Sequence, residues 1–177
     1  MILDALLQFD GNASLAQPIG TYTSTNTLDL HMAGIPVLAN LQGARDLGIG
    51  DDPALKLLVQ VGVAFTSGGA GTLSASLQGA PDNGLGAPGA FTTWYTSSVY
   101  ALATLVIGAR LLDMDVPRPP AGVAIPRFLR MSYAVAGATF TAGQVSAYIV
   151  LDRHDLPYNS TANSTLGGYP AGITVAN

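Results

Sequence analysis

Apolar and polar residues alternate most clearly between Arg127 and Asp155, which reads RFLRMSYAV, AGATFTAG and QVSAYIVLD. Leu129, Met131, Tyr133 and Val135 alternate with Arg130, Ser132 and Ala134. Further on, Val145, Ala147, Ile149 and Leu151 alternate with Gln144, Ser146, Tyr148 and Val150. A period of two marks a half-buried strand. Two such strands joined by a Gly- and Thr-bearing loop read as an antiparallel pair. A lone pair is marginal in water, so a second sheet must cover its apolar face.

The rest of the chain supplies candidates for that sheet. Lys56 to Phe65, KLLVQVGVAF, points Leu57, Val59, Val61, Val63 and Phe65 one way. TSGGAG then turns the chain, and Thr72 to Gln78 alternates through Leu73, Ala75 and Leu77, so the two segments read as a hairpin. Thr21 to Leu30 reads as a polar-faced strand after a loop over Asn12 to Pro18. His31 to Gly43 is broken by Gly34 and Pro36 and reads as irregular, and Ala44 to Pro53 as a turn-rich entry to the next strand. Gly79 to Gly89 is a surface excursion, with a further segment over Phe91 to Val99. Leu102 to Val106 and Gly108 to Leu112 suit two short strands, with a short helix as the alternative. The prolines at 117, 119, 120 and 126 exclude a central strand across that stretch. The expected core is Leu57, Val59, Val61, Val63, Leu73, Leu77, Leu129, Met131, Tyr133, Val145, Ile149 and Leu151.

Composition points the same way. Charged residues make up 10% of the 177, and all eleven acids are Asp. Helices normally draw on Glu and Lys for their solvent face, whereas Thr, Gly, Asp and Pro suit strands and turns. The pattern therefore predicts one all-β domain, an antiparallel two-sheet sandwich of the jelly-roll type, with helix below ~15% against a base rate near 30%. Its expected limits are 1–177, with an N-terminal arm over about 1–20 and an extended polar tail over about 156–177. MILDALLQFD has no basic segment before its apolar residues and reads as part of the mature protein. A net charge of −4 with scattered cations opposes nucleic-acid binding. No apolar run approaches the ~18 residues of a membrane span.

Candidate chemistry is sparse. Without cysteine, thiolate metal sites and thiol catalysis are excluded. His154 lies between Asp152, Arg153 and Asp155, but His31 is the only other histidine, and a solvated strand end explains the cluster better than a metal or acid–base centre. No G-x-S-x-G elbow supports a serine triad. The glycines at 48–50 and 68–71 lack the Lys-Ser or Lys-Thr of a phosphate loop and read as turns. Asp51-Asp52 and Asp113-Met114-Asp115 lack calcium-loop geometry. Sequons at Asn12, Asn159 and Asn163 matter only in a secreted eukaryotic protein. The expectation is no enzyme, no metal and no cofactor. What remains is apolar and aromatic surface: Ile2, Leu3, Leu6, Leu7 and Phe9 form an arm that either lies across the domain's own core or grips a neighbouring subunit or a partner, Trp94 and Tyr95 in FTTWYTSS pack in the core or at a subunit interface, and Tyr169 in the tail joins the candidate contacts.

With these residues in view, the chain resembles the capsid cement (decoration) proteins of tailed bacteriophages, of the Bordetella-phage type. The resemblance rests on MILDALLQF, STNTLDL from Ser24, ARDLGIG from Ala44, LLVQVGVAFTSGGAGTLSASLQ from Leu57 and IPRFLRMSYAVAGATFTAGQVSAYIVLD from Ile125, in that order. It implies a jelly-roll-type β-fold, self-association, and a place in the virion on the outer surface of the capsid, and the apolar arm makes a dimer or trimer the expected assembly. There it would bind the major capsid protein after synthesis in the bacterial host cytoplasm. It implies no catalysis, and the charge and the short apolar runs add the expectation of no nucleic-acid and no membrane partner. A carbohydrate-binding sandwich of a tail fibre, with Trp94 and Tyr95 as a sugar platform, is the alternative.

Overall fold

In the computed structural model the described residues are 7–30, 55–123 and 126–151. They hold ten strands: β1 (Gln8–Ser14), β2 (Gly20–Thr23), β3 (Leu28–Asp29), β4 (Leu55–Ser67), β5 (Thr72–Ala80), β6 (Thr92–Thr96), β7 (Tyr100–Ala101), β8 (Arg110–Asp115), β9 (Phe128–Ala136) and β10 (Phe140–Leu151). The first sheet has the order β1-β10-β4-β8, the second β2-β9-β5-β6, with β3 added to β9 and β7 to β5. All pairings are antiparallel. Counting only the eight strands of the two main paths, these orders are 1-8-3-6 and 2-7-4-5, the strand arrangement of a jelly roll. No α-helix occurs among the described residues.

The chain passes from one sheet to the other at almost every turn, which corrects two expectations. β4 and β5 are not a hairpin: β4 pairs with β10 and β8, while β5 pairs with β9 and β6. Nor do β9 and β10 pair with each other. Each Gly-bearing turn, at 68–71 and 137–139, is an arch over the end of the core. An arch sets two apolar faces against each other, whereas a hairpin would leave them side by side and still uncovered. The segment after Gly79 does return within its own sheet, as the link from β5 to β6.

The inner faces meet as the alternation requires. In the first sheet Leu57 pairs with Ile149, Val59 with Ala147 and Val61 with Val145. In the second, Leu73 pairs with Val135, Ala75 with Tyr133 and Leu77 with Met131. All twelve of these residues, and Leu129, are buried in one cluster. Val63 is not, with 43% of its surface exposed. Val61 and Val63 face successive residues, Val145 and Gln144, across a bulge at Gly62 that rotates Val63 outward. Phe65 turns back inward and meets Phe140 edge to face at 4.8 Å. The side chain of Leu151 lies outside the described residues.

Three boundaries differ from the expected ones. The segment over Asn12 to Pro18 begins as strand, because β1 runs to Ser14. Thr21–Leu30 divides into β2 and β3. Leu102–Thr104 is a 3-10 turn rather than strand, and β8 starts at Arg110 after Gly108, whose φ of +81° reverses the chain.

A bulge in β1 decides what the N-terminal segment does. Gln8 faces Tyr148 and Asp10 faces Ala147, so two residues on β1 step past one on β10 and both Phe9 and Asp10 turn inward. Phe9 is fully buried in the core cluster. It therefore is not a contact residue of a free arm. The arm expected over 1–20 gives way to an edge strand from Gln8, and Leu7 packs half-buried against the same core. Ile2, Leu3 and Leu6 lie outside the described residues.

Asp10 is fully buried, and its carboxylate is satisfied across the core. Oδ2 accepts the Tyr133 hydroxyl at 2.6 Å, and Oδ1 accepts the Thr25 backbone N–H at 2.8 Å. Burial, the Asp10 charge and this hydrogen bond together hold the Tyr133 hydroxyl well above the usual phenol range. Tyr133→Phe leaves a buried carboxylate oxygen without its donor and should cost about 1–3 kcal/mol. The sign of the pH effect follows from the raised value. Folding favours the protonated phenol, so this contribution is intact below the ordinary tyrosine value near 10 and is lost as pH rises beyond it. Denaturant unfolding between pH 8 and 11 should show the wild type losing its margin over Tyr133→Phe in that window. A constant margin would mean that the phenol titrates alike in the folded and unfolded chain.

Candidate contact surfaces

The described strands present exposed surfaces and one shallow hollow. Residues 105–109 run back along β4: Phe65 N–H donates to Leu105 O at 3.0 Å, Val61 N–H to Ala109 O at 2.8 Å and Gly108 N–H to Val61 O at 2.8 Å. Val106 and Ile107 thus lie opposite Val63. The three are 54%, 71% and 43% exposed, and they form an apolar strip beside β4. Beside it Gln60, Val61, Gly62, Ile107, Gly108 and Ser146 line a shallow hollow of about 280 Å³. Its polar wall is fixed in place. Ser146 Oγ donates to Asn12 Oδ1 at 2.8 Å and accepts the Asn12 N–H at 3.1 Å, while Gln60 Nε2 donates to Gly108 O at 3.3 Å. Asn12 adopts φ +61°, the left-handed conformation that Asn tolerates best after glycine, at the bulged end of β1. Gly62 leaves the room its side chain needs.

A second exposed feature is the loop between β5 and β6. Asp82 Oδ1 accepts N–H groups from Gly84 and Gly86, and Asn83 Oδ1 accepts them from Leu85 and Ala87. These bonds hold up Leu85, which is 89% exposed. Arg127 anchors the base of the loop. Its Nε and Nη2 reach the two carboxylate oxygens of Asp29 at 2.8 and 2.9 Å, and Nη1 reaches Asp82. The bidentate Asp29 bond, then Asp82, raise the arginine's pKa against the opposing effect of burial. Burial pushes the Asp82 carboxyl upward, but the Gly84 and Gly86 N–H groups and the guanidinium together outweigh it and hold it below the usual carboxylate range.

The outer face of the second sheet is nearly uncharged. Thr23 on β2, Ser132 on β9, Ser76 on β5 and Thr96 on β6 stand in register across it. Ser76 and Thr96 are hydrogen-bonded at 3.0 Å.

Of the expected contact residues in β6, Tyr95 is exposed, while Trp94 is half-buried and packs against the core. Trp94 falls at a bulge, because Leu77 faces Tyr95 while Gln78 faces Thr93. Its ring lies where a side chain at Gly79 would be and packs against the core there. Tyr169, His31, His154 and Asp51-Asp52 lie outside the described residues. Asp113 and Asp115 belong to β8 and pair with Arg110 and Lys56. Among the described residues no three His, Asp or Glu gather as metal ligands. The sequence reading missed Val106, Ile107 and Leu85, since a valine or leucine in a turn looks the same whether it points in or out.

No curated protein matches the chain. The family model Bbp16 matches residues 14–149, from the end of β1 through nearly all of β10 and therefore almost the whole jelly roll, so the chain belongs to the Bbp16 family, a Bordetella phage protein family.

Proposed function

We propose that this protein is a structural component of the virion: a cement protein that binds the outer surface of an assembled phage head and stabilises contacts between capsomers of the major capsid protein. The observation that carries the reading, beside membership of a phage family, is the exposed strip of Val63, Val106 and Ile107 next to the hollow on a rigid edge. Apolar surface that leaves water on docking contributes about 25 cal/mol per Å². A cement protein must also hold its shape while the shell strains against it. Two sheets locked by one core and by the Asp10–Tyr133 bond across it meet that need. Thermodynamically, a protein that binds the assembled shell better than its free subunits shifts assembly toward the shell. The low charge and net −4 suit a place outside the head, where the protein does not compete for packaged DNA. Self-association as a dimer or trimer belongs to the same proposal, and sedimentation of the free protein tests it.

The main test is co-sedimentation with emptied heads, together with the temperature at which those heads disrupt. The wild type should bind and raise that temperature. Val106→Asp with Ile107→Asp should weaken binding by tenfold or more, about 1.4 kcal/mol or above. Because both side chains are exposed, the fold should change by no more than roughly 0.5 kcal/mol per site. Wild-type protein that stays in the supernatant would end the cement reading. Unaltered binding by the double variant would move the contact elsewhere on the surface.

A further inference from the structure

On the outer face of the second sheet one cation stands apart. Lys56 pairs with Asp115, Arg110 with Asp113, and Arg127 with Asp29 and Asp82. Arg130 has no carboxylate partner among the described residues. It is nonetheless held in place. Its guanidinium carbon lies 3.7 Å from the centroid of the Phe91 ring, and its Nε donates to Gln78 Oε1 at 2.8 Å. Gln78 is itself steadied by Thr93, to whose Oγ it donates at 3.2 Å. The register explains the cluster: Arg130 on β9, Gln78 on β5 and Thr93 on β6 lie side by side in one row.

Such a clamp orients the guanidinium and, among the described residues, engages one of its five N–H donors. The two terminal nitrogens keep the fork that matches a carboxylate in bidentate geometry. Stacking on Phe91 removes much of the rotamer freedom that an arginine ordinarily loses on binding. Among the described residues the register neighbours of the clamp are neutral and hydroxyl-bearing, Ser76, Thr93 and Thr96, which suits an anion. We propose that Arg130, clamped by Phe91 and Gln78, is a docking point for a side-chain carboxylate on an acidic segment of the shell protein. The inference rests on the cement reading and adds a second, polar contact on a different sheet from the apolar strip.

The test uses the full chain and emptied heads in co-sedimentation over a series of salt concentrations. Arg130→Gln should weaken binding about tenfold and flatten its dependence on salt, since the lost contact is an ion pair. Arg130→Lys, which keeps the charge but not the fork, should fall between the two. Arg110→Gln, on the other sheet and paired within its own strand, should bind as the wild type does. Melts of each variant check the fold. Should Arg130→Gln melt early, Phe91→Leu replaces it, because that change leaves the charge and removes the clamp, and it should still weaken binding several-fold. Arg130→Gln or Phe91→Leu binding as tightly as the wild type, with the same salt dependence, would overturn this proposal and leave the cement reading standing. Failure of the wild type itself to bind heads would overturn both.

Discussion

Replacing Phe9 by alanine is expected to cost about 3–5 kcal/mol, a large part of the stability of any single domain. Its ring is fully buried, at a bulge that turns it and Asp10 into the same side of β1. The backbone on both sides is fastened as well: Asn26 N–H donates to Phe9 O at 3.0 Å, and Thr25 N–H to the Asp10 carboxylate. Truncating the ring opens a cavity between the two sheets that tied backbone cannot collapse to fill. Chemical denaturation with a fluorescence or circular dichroism readout measures the loss. Removal of residues 1–10 deletes Phe9 together with Asp10, the acceptor of Tyr133, so it should lower the melting temperature even more. A loss below about 1 kcal/mol for Phe9→Ala would put the ring outside the core and restore the picture of a segment given over to partners.

Phe9 also shows where sequence reading stops. Strand periodicity located the long strands and nearly all of their inner residues, because burial on one face leaves a period of two. It does not register a bulge. One extra residue at Gly62 turned Val63 outward, and one in β1 turned Phe9 inward, and in neither place does the residue type change. The partner of each strand was equally hidden. KLLVQVGVAF, a glycine turn and TLSASLQ fit a hairpin and an arch alike, since both need two half-buried strands and a reversal. Only the other strands competing for the same edges decide between them. The contact surface was the least legible part. Arg130 reads as the ordinary polar partner in an alternating strand, and its clamp depends on Phe91 and Gln78, 39 and 52 residues away in sequence.

The two sheets and the two surfaces fit together through the arches. At one end of the sandwich the turn from β9 to β10 stacks on the turn from β4 to β5. Ala138 and Gly69 lie so close that a Cβ on Gly69 would come within 3.1 Å of the Ala138 methyl. Tyr22 on β2 donates to Pro18 O, and Phe140 N–H donates to Gln17 O, which draws the link from β1 to β2 into the same end. Strand β4, which carries Val63 of the apolar strip, and strand β9, which carries Arg130, both run into this junction. A contact made on either sheet is thereby referred to one rigid body.

Gly137 is the residue on which that junction turns, and Gly137→Ala should be among the most damaging single-methyl changes in the protein. Two costs add. Its φ is +76°, a conformation in which an L side chain is strained by about 1–2 kcal/mol. The added Cβ would also fall well inside van der Waals contact of the Ala70 carbonyl oxygen, with the Ala70 carbon at 3.3 Å and the Gly71 Cα at 3.7 Å. These are backbone atoms, so no rotamer change relieves the clash. One arch must lift from the other, and the forced shift adds about 1–3 kcal/mol. The expected total is about 2–5 kcal/mol, measured by denaturant unfolding. Gly84→Ala provides the comparison, because its φ of +86° is similar and nothing lies within 4 Å of the added Cβ. That variant should show the strain alone. Equal losses at the two positions would mean that the arches are not in contact, and the loss at Gly137 should exceed that at Gly84 by the cost of separating them.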